Sequence, residues 1–250
     1  MFLDKERRIM KKRILALLML TLCMAGTAGA APAQEDEPRR VVYLTFDDGP
    51  KKDTPELLEL LDELDVPATF FLVGAGVRAF PENTKMILDA GHAVGSHSMN
   101  HSLKRLDSTE YLAQDLRNFT DTMRELVDPE FSTDLFRFPG GSTIYSKSTK
   151  EFVRDSGYAW FDWNMMTGDA QYKFDSSADM FRYTTKQLGN KDVVILLMHE
   201  AKTRTRRILP ELVEFFRERG YEFRKLSTDA EDAEILSRCS ANLMLPAARE

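Results

Sequence analysis

The chain has 250 residues, 43% apolar and 10% aromatic, enough to bury the core of one domain plus its ends. Its formal net charge is −6, and beyond the first thirty residues no basic stripe suggests nucleic acid, which argues against polyanion binding as a main role.

Lys5, Arg7, Arg8, Lys11, Lys12 and Arg13 open the chain with positive charge, and the apolar run Ile14–Ala25 follows. Small residues then lead to Ala28-Gly29-Ala30, and this order reads as a secretory signal peptide over residues 1–30. The competing reading is a retained membrane anchor, for which the strictly apolar stretch is short of the roughly 20 residues that a spanning helix needs. Cys23 follows Leu20-Thr21-Leu22, and a bulky leucine just before the cysteine argues against lipoprotein processing. The domain that follows is therefore expected to be exported, extracellular or held at the cell envelope. Membrane contact is expected only through an uncleaved N-terminal segment. Without residues 1–30 the chain carries 28 Lys+Arg against 38 Asp+Glu, a net charge of −10, and Cys239 stands alone. An exported domain without an internal disulfide relies on its core. Residues 31–40 read as a solvated linker.

Apolar runs and amphipathic stretches then alternate. Strands are expected at Val41–Phe46, Ala68–Val73, His92–Gly95, Leu135–Phe138, Tyr158–Trp163, Val193–Met198 and Tyr221–Lys225. Helices are expected at Pro55–Leu64, Glu82–Ala90, Ser108–Val127, Lys147–Asp155, Ser176–Leu188 and Arg206–Arg219. Thr54-Pro55 offers the first helix a hydroxyl N-cap and a proline at its first position. The long helix after Ser108 has an apolar stripe at Leu112, Leu116, Phe119, Met123 and Leu126. Gly91, Gly157 and Gly220 fall just past helix ends. Seven strands with intervening helices, including the uninterrupted Val193-Val194-Ile195-Leu196-Leu197, imply an α/β fold with a buried parallel sheet. A barrel is favoured over an open sheet, because every candidate catalytic residue falls at or just after the C-terminal end of a strand. The domain is expected over 41–226. The tail 227–250 begins acidic and turns apolar, as a helix and arm packed on the domain would.

Asp47 and Asp48 end the first strand, in Thr45-Phe46-Asp47-Asp48-Gly49-Pro50. Adjacent side chains of an extended strand point to opposite faces, so both carboxylates reach one site only if the backbone turns there. His97 and His101, two of only four histidines, follow the third strand. At this spacing on a helical turn the two imidazoles share a face and can bind one metal. With Asp48 they make a set suited to zinc with an open position for water, although cobalt, nickel or manganese would tolerate the same ligands. His92 lies at the opposite end of that strand and reads as structural. Arg137 ends another strand among apolar neighbours and needs a carboxylate partner, for which Asp47 is the obvious choice. Gly140 and Gly141 let backbone N–H groups approach a ligand closely. His199 closes the most apolar strand and could protonate a leaving amine.

In this order the motifs resemble those of the polysaccharide deacetylases with a NodB-homology domain. Thr45-Phe46-Asp47-Asp48-Gly49-Pro50 resembles the first family motif and His97-Ser98-Met99-Asn100-His101 the second. Arg137-Phe138-Pro139-Gly140-Gly141 resembles the third, and Leu197-Met198-His199 the fifth. The resemblance implies a distorted (β/α)7 barrel. It implies that Asp47 is the general base, that Asp48, His97 and His101 bind a divalent metal, and that Arg137 orients Asp47. His199 would be the general acid, Leu197 would line the acetyl pocket, and a backbone N–H near Gly140 would steady the oxyanion. Trp163 and Asp169 join Leu197 and Gly140 as expected substrate-binding residues. The fourth motif departs from the family pattern in Trp163-Asn164-Met165-Met166-Thr167-Gly168-Asp169-Ala170, where alanine replaces a tryptophan. Either Asp169 or Asp162 is expected to support His199.

The activity so implied is deacetylation of N-acetylated amino sugars in a polysaccharide, with cell-wall peptidoglycan at its N-acetylglucosamine as the expected substrate. A chitooligosaccharide deacetylase and an acetylxylan esterase are the alternatives. From another class, a catalytically silent glycan-binding module would use Trp160, Trp163 or Tyr145 to stack on sugars.

Overall fold

The computed structural model describes residues 39–246, so the basic and apolar segment 1–30, nearly all of the linker and the last four residues lie outside the described part. Strand β1 (Arg40–Gly49) is the hub of the sheet. It is followed by α1 (Thr54–Leu64), β2 (Thr69–Leu72), α2 (Gly74–Ala79), α3 (Pro81–Asp89) and β3 (Ala93–Ser96). Next come α4 (Leu103–Leu106), α5 (Thr109–Leu126), β4 (Leu135–Phe136), α6 (Lys147–Asp155), β5 (Ala159–Phe161) and β6 (Met165–Met166). The chain ends with α7 (Ser177–Lys186), β7 (Val193–His199), α8 (Thr203–Arg217), β8 (Tyr221–Arg224), α9 (Ala230–Leu236) and β9 (Leu243–Met244).

The strands follow the order β6-β7-β1-β2-β3-β4-β5-β9, parallel except for the last pair. One edge of β1 is shared in succession: Arg40–Tyr43 pair with β8, and Thr45–Gly49 pair with β2. The sheet is thus the distorted α/β barrel expected from the sequence, with one open seam between β9 and β6. Alternation along the strands separates two cores. Val42, Leu44 and Phe46 of β1 face the helices with Val194, Leu196 and Met198 of β7. Val41 and Tyr43 face inward with Phe71, Leu135, Phe161, Val193 and Ile195. Ile235 and Leu236 of α9 belong to that inner cluster, and the Tyr43 hydroxyl donates to Asp232 at 2.8 Å.

Several local expectations shift. The Thr54 hydroxyl does not cap α1, whose N-cap is Asp53 and has no side-chain bond; it turns back to the Lys51 carbonyl and to Glu200. The stripe on α5 ends at Met123, and Leu126 is 41% exposed because the helix ends there. Gly91, Gly157 and Gly220 all take positive φ at helix ends. No helix among the described residues is long and apolar enough to cross a membrane.

Candidate active site

Strand parity decides which side chains meet at the C-terminal rim of the barrel. Asp47 continues the inward row Val41, Tyr43, Thr45, and His199 continues Val193, Ile195, Leu197. Asp47 and His199 are also paired in the β1–β7 register. A register shift between Asp47 and Gly49, with φ of +69° at Asp48, then bends the strand end so that consecutive carboxylates converge. Asp47 Oδ2 lies 3.6 Å from His97 Nε2, and Asp48 Oδ1 lies 3.8 Å from the same nitrogen and 3.6 Å from His101 Nε2.

His97 and His101 do not share a helical turn. They sit in an irregular loop in which Ser98 and His101 have positive φ, and their rings meet edge to face at 5.0 Å. Asp115, buried on α5, holds this loop by accepting the Met99 N–H at 3.0 Å. Three of the four non-glycine residues with positive φ among the described residues therefore belong to the Asp48 and His97–His101 turns. Such backbone persists where the surroundings over-determine it.

Ligand atoms of Asp48, His97 and His101 all lie within 4.8 Å of one another. A tetrahedral ion bound at about 2.1 Å sets its ligands roughly 3.4 Å apart, so the donor set fits a divalent metal. His97 Nδ1 lies 2.9 Å from the Arg137 carbonyl; the proton placed there leaves Nε2 free to coordinate. Burial pushes the His97 pKa down against the pull of Asp47 and Asp48, which favours the neutral ligand form.

Arg137 is fully buried. Its guanidinium donates to Asp47 Oδ1 at 2.9 Å, to the Thr45 hydroxyl at 2.7 Å and to the Phe161 carbonyl at 2.8 Å, and it stacks 4.2 Å over the Phe71 ring. Asp47 is thereby fixed with one oxygen on Arg137 and the other toward His97. Across the rim, His199 Nδ1 is 2.7 Å from Asp169 Oδ1, and Asp169 Oδ2 accepts the His199 N–H and the Thr205 hydroxyl. Burial disfavours the imidazolium, but the bond and charge of Asp169 outweigh it and raise the His199 pKa. The same partnership lowers that of Asp169 against its own burial.

Asp169 is the aspartate that supports His199. Its side chain is only 3% exposed, and its bonds go to His199 and Thr205. Asp162 acts elsewhere, where its oxygens accept the Ser142 N–H and hydroxyl and pin the turn after Gly140-Gly141. Gly140 is exposed with φ of +76°, whereas the Gly141 N–H is committed to the Phe138 carbonyl. Trp163 is half-buried beside Gly141, and a Cβ there would stand 3.3 Å from the indole. Leu197 is 3% exposed, inward-facing and two residues before His199 on the same strand. His92 lies away from the rim: its Nδ1 accepts the Ala68 N–H, and burial pushes its pKa down to about 4. Trp160 and Tyr145, at 5% and 4% exposure, are packed against Phe138 and present no face to a sugar.

Sequence reasoning missed Thr45, Asp115 and Glu200. Thr45 had a signal in its inward parity with Asp47. Asp115 had one in being a lone carboxylate on the apolar side of an amphipathic helix.

A family model for polysaccharide deacetylase matches residues 34–161. A peptidoglycan-N-acetylglucosamine deacetylase of Bacillus cereus is 32% identical over 189 residues, covering 74% of this chain and 68% of that protein. Among solved structures, a CE4 esterase of Streptococcus mutans matches with a TM-score of 0.71 and 29% identity, over 76% of this chain and 87% of its own. A polysaccharide deacetylase of Bacillus cereus matches with a TM-score of 0.68 and 30% identity, over 76% and 93%.

Proposed function

Since this chain belongs to the polysaccharide deacetylase family, we propose that it removes acetyl groups from N-acetylated amino sugars in cell-wall peptidoglycan, at N-acetylglucosamine. The observation that carries this reading is the placement of Asp47 between Arg137 and His97, beside a three-residue donor set and in register with His199. Asp48, His97 and His101 would hold a divalent metal, zinc by ligand type. Such an ion, when bound, lowers the pKa of water to about 7 and polarises the acetamide carbonyl.

Asp47 then serves as the general base, taking a proton from the attacking water while Arg137 keeps it oriented. The water oxygen bonds to the acetamide carbon, and the Gly140 N–H steadies the oxyanion. The carbon–nitrogen bond breaks as His199, held by Asp169, gives its proton to the departing amine, leaving acetate and a free amino sugar. Leu197 would line the acetyl-methyl pocket and Trp163 its wall. Leu103 and Ile144, both exposed around Gly140, would meet the sugar ring. The basic and apolar residues 1–30 support export as the route to this polymer.

The test is acetate release by the purified enzyme from peptidoglycan, N-acetylglucosamine oligomers and acetylxylan, with and without zinc. Metal-dependent release, fastest from peptidoglycan and lost in Asp47→Asn by about 10²–10⁴-fold, is the expected result. Faster release from acetylxylan would reassign the enzyme as an esterase. Zinc binding without release from any polymer would favour a silent module.

A further inference from the structure

Glu200, one residue past His199, is a buried acid that the reaction above does not use. It is 1% exposed, and its Oε2 is buried without a hydrogen-bond partner. Its Oε1 accepts the Lys51 N–H at 3.2 Å and the Thr54 hydroxyl, while its own N–H donates to the Asp47 carbonyl at 3.2 Å. One residue thus grips both ends of Asp47-Asp48-Gly49-Pro50-Lys51. Inside that grip Asp48 holds a left-handed φ of +69°, a conformation a non-glycine residue keeps only when its surroundings impose it.

The fit is reciprocal. Gly49 does not have a positive φ, so its torsions do not demand glycine. A Cβ at that position would instead overlap the Glu200 carboxyl. Arg206, at the start of α8, donates to the Glu200 carbonyl and pairs with Asp53 at 3.0 Å, tying the far side of Glu200 to the residue that opens α1.

We propose that Glu200 is a positioning residue whose buried carboxyl clamps the Asp47–Lys51 turn, so that Asp47 faces the reacting water while Asp48 faces the two histidines. This rests on the metal-centre reading above, and the test therefore measures metal affinity separately from turnover. In the full chain, Glu200→Ala should weaken zinc binding, read by chelator competition, by tenfold or more. It should lower kcat by a similar factor with KM within twofold, while near-ultraviolet circular dichroism stays native. Glu200→Gln, which keeps size and one acceptor oxygen, should restore most of both. Gly49→Ala should cost zinc affinity in the wild-type background and much less in Glu200→Ala, because the overlapping carboxyl is gone.

A folded Glu200→Ala that binds zinc within twofold of the parent would overturn the proposal, whether or not any polymer is deacetylated. So would additive effects of the two substitutions. Should Glu200→Ala not fold, Thr54→Val removes the other half of the clamp and should weaken zinc binding threefold or more; unchanged affinity there would also overturn it.

Discussion

Arg137 and Asp47 form a fully desolvated pair, and its energetics are asymmetric. Such a pair adds little net stability, but removing one partner leaves a buried charge at a cost of about 3–5 kcal/mol. Asp47→Asn keeps an oxygen for Arg137 and is the informative change, whereas Asp47→Ala would confound chemistry with unfolding. Asp169 raises the pKa of His199, so its acid form persists to higher pH than an unperturbed imidazole, and its contribution to stability fades as pH rises through the folded value. Asp169→Asn should therefore move the alkaline limb of the kcat/KM profile to lower pH and reduce kcat; an unmoved limb would show that another group titrates there. Asp47, Asp48, His97, His101, Arg137 and His199 could be picked out beforehand because each sits at a strand end or just past one, where barrel chemistry collects. The choice between Asp162 and Asp169 could not be made, because it depends on how the loop after β6 folds back onto Thr205. Glu200 was silent for a similar reason: its partners Lys51 and Thr54 are distant in the chain.

Elements long enough to show a period were legible, and α6 matches its expected span residue for residue. The six-residue α2, the four-residue α4 and the two-residue β6 were not, since none completes the repeats that carry a pattern. β6 is held by a side chain as much as by a ladder: Gln187 accepts the Met166 N–H and donates to its carbonyl. On α5 the buried Asp115 gives up helix stability to hold the His97–His101 loop. Burial pushes its pKa up to about 6, so its contribution to stability falls as pH rises from about 4, its unfolded value, through 6. Asp115→Asn should flatten the dependence of Tm on pH across that window and raise Tm at pH 8 relative to the parent. A parallel shift at all pH values would mean that the carboxylate is already charged at acid pH.

Across the whole molecule, the barrel is closed by something other than a continuous ladder. At the seam Asn164 imitates a peptide unit: its Oδ1 accepts the Ile195 N–H, and its Nδ2 donates to the Val193 carbonyl and the Ser240 hydroxyl. β9 then covers β5 from the other side, and α9 plugs the interior. Asn164→Ala should cost about 1–3 kcal/mol in urea denaturation and speed protease cleavage near Ser240. Equal cleavage rates would show that β9 and α9 hold the seam alone.

The position of β1 at the hub has a kinetic side. Val41 pairs with Val193 and Arg40 with Tyr221, so the first strand of the described domain, covered early by β2 only at Thr45–Gly49, waits for β7 and β8 before the rest of its edges are covered. Loop closure on that scale comes before any reward from pairing, which makes folding slow and dominated by non-local contacts. Asp47 and His199 are neighbours only through this late pairing, so no N-terminal fragment can bring the two together. Refolding followed by the fluorescence of Trp160 and Trp163 and by acetate release should therefore give one common rate.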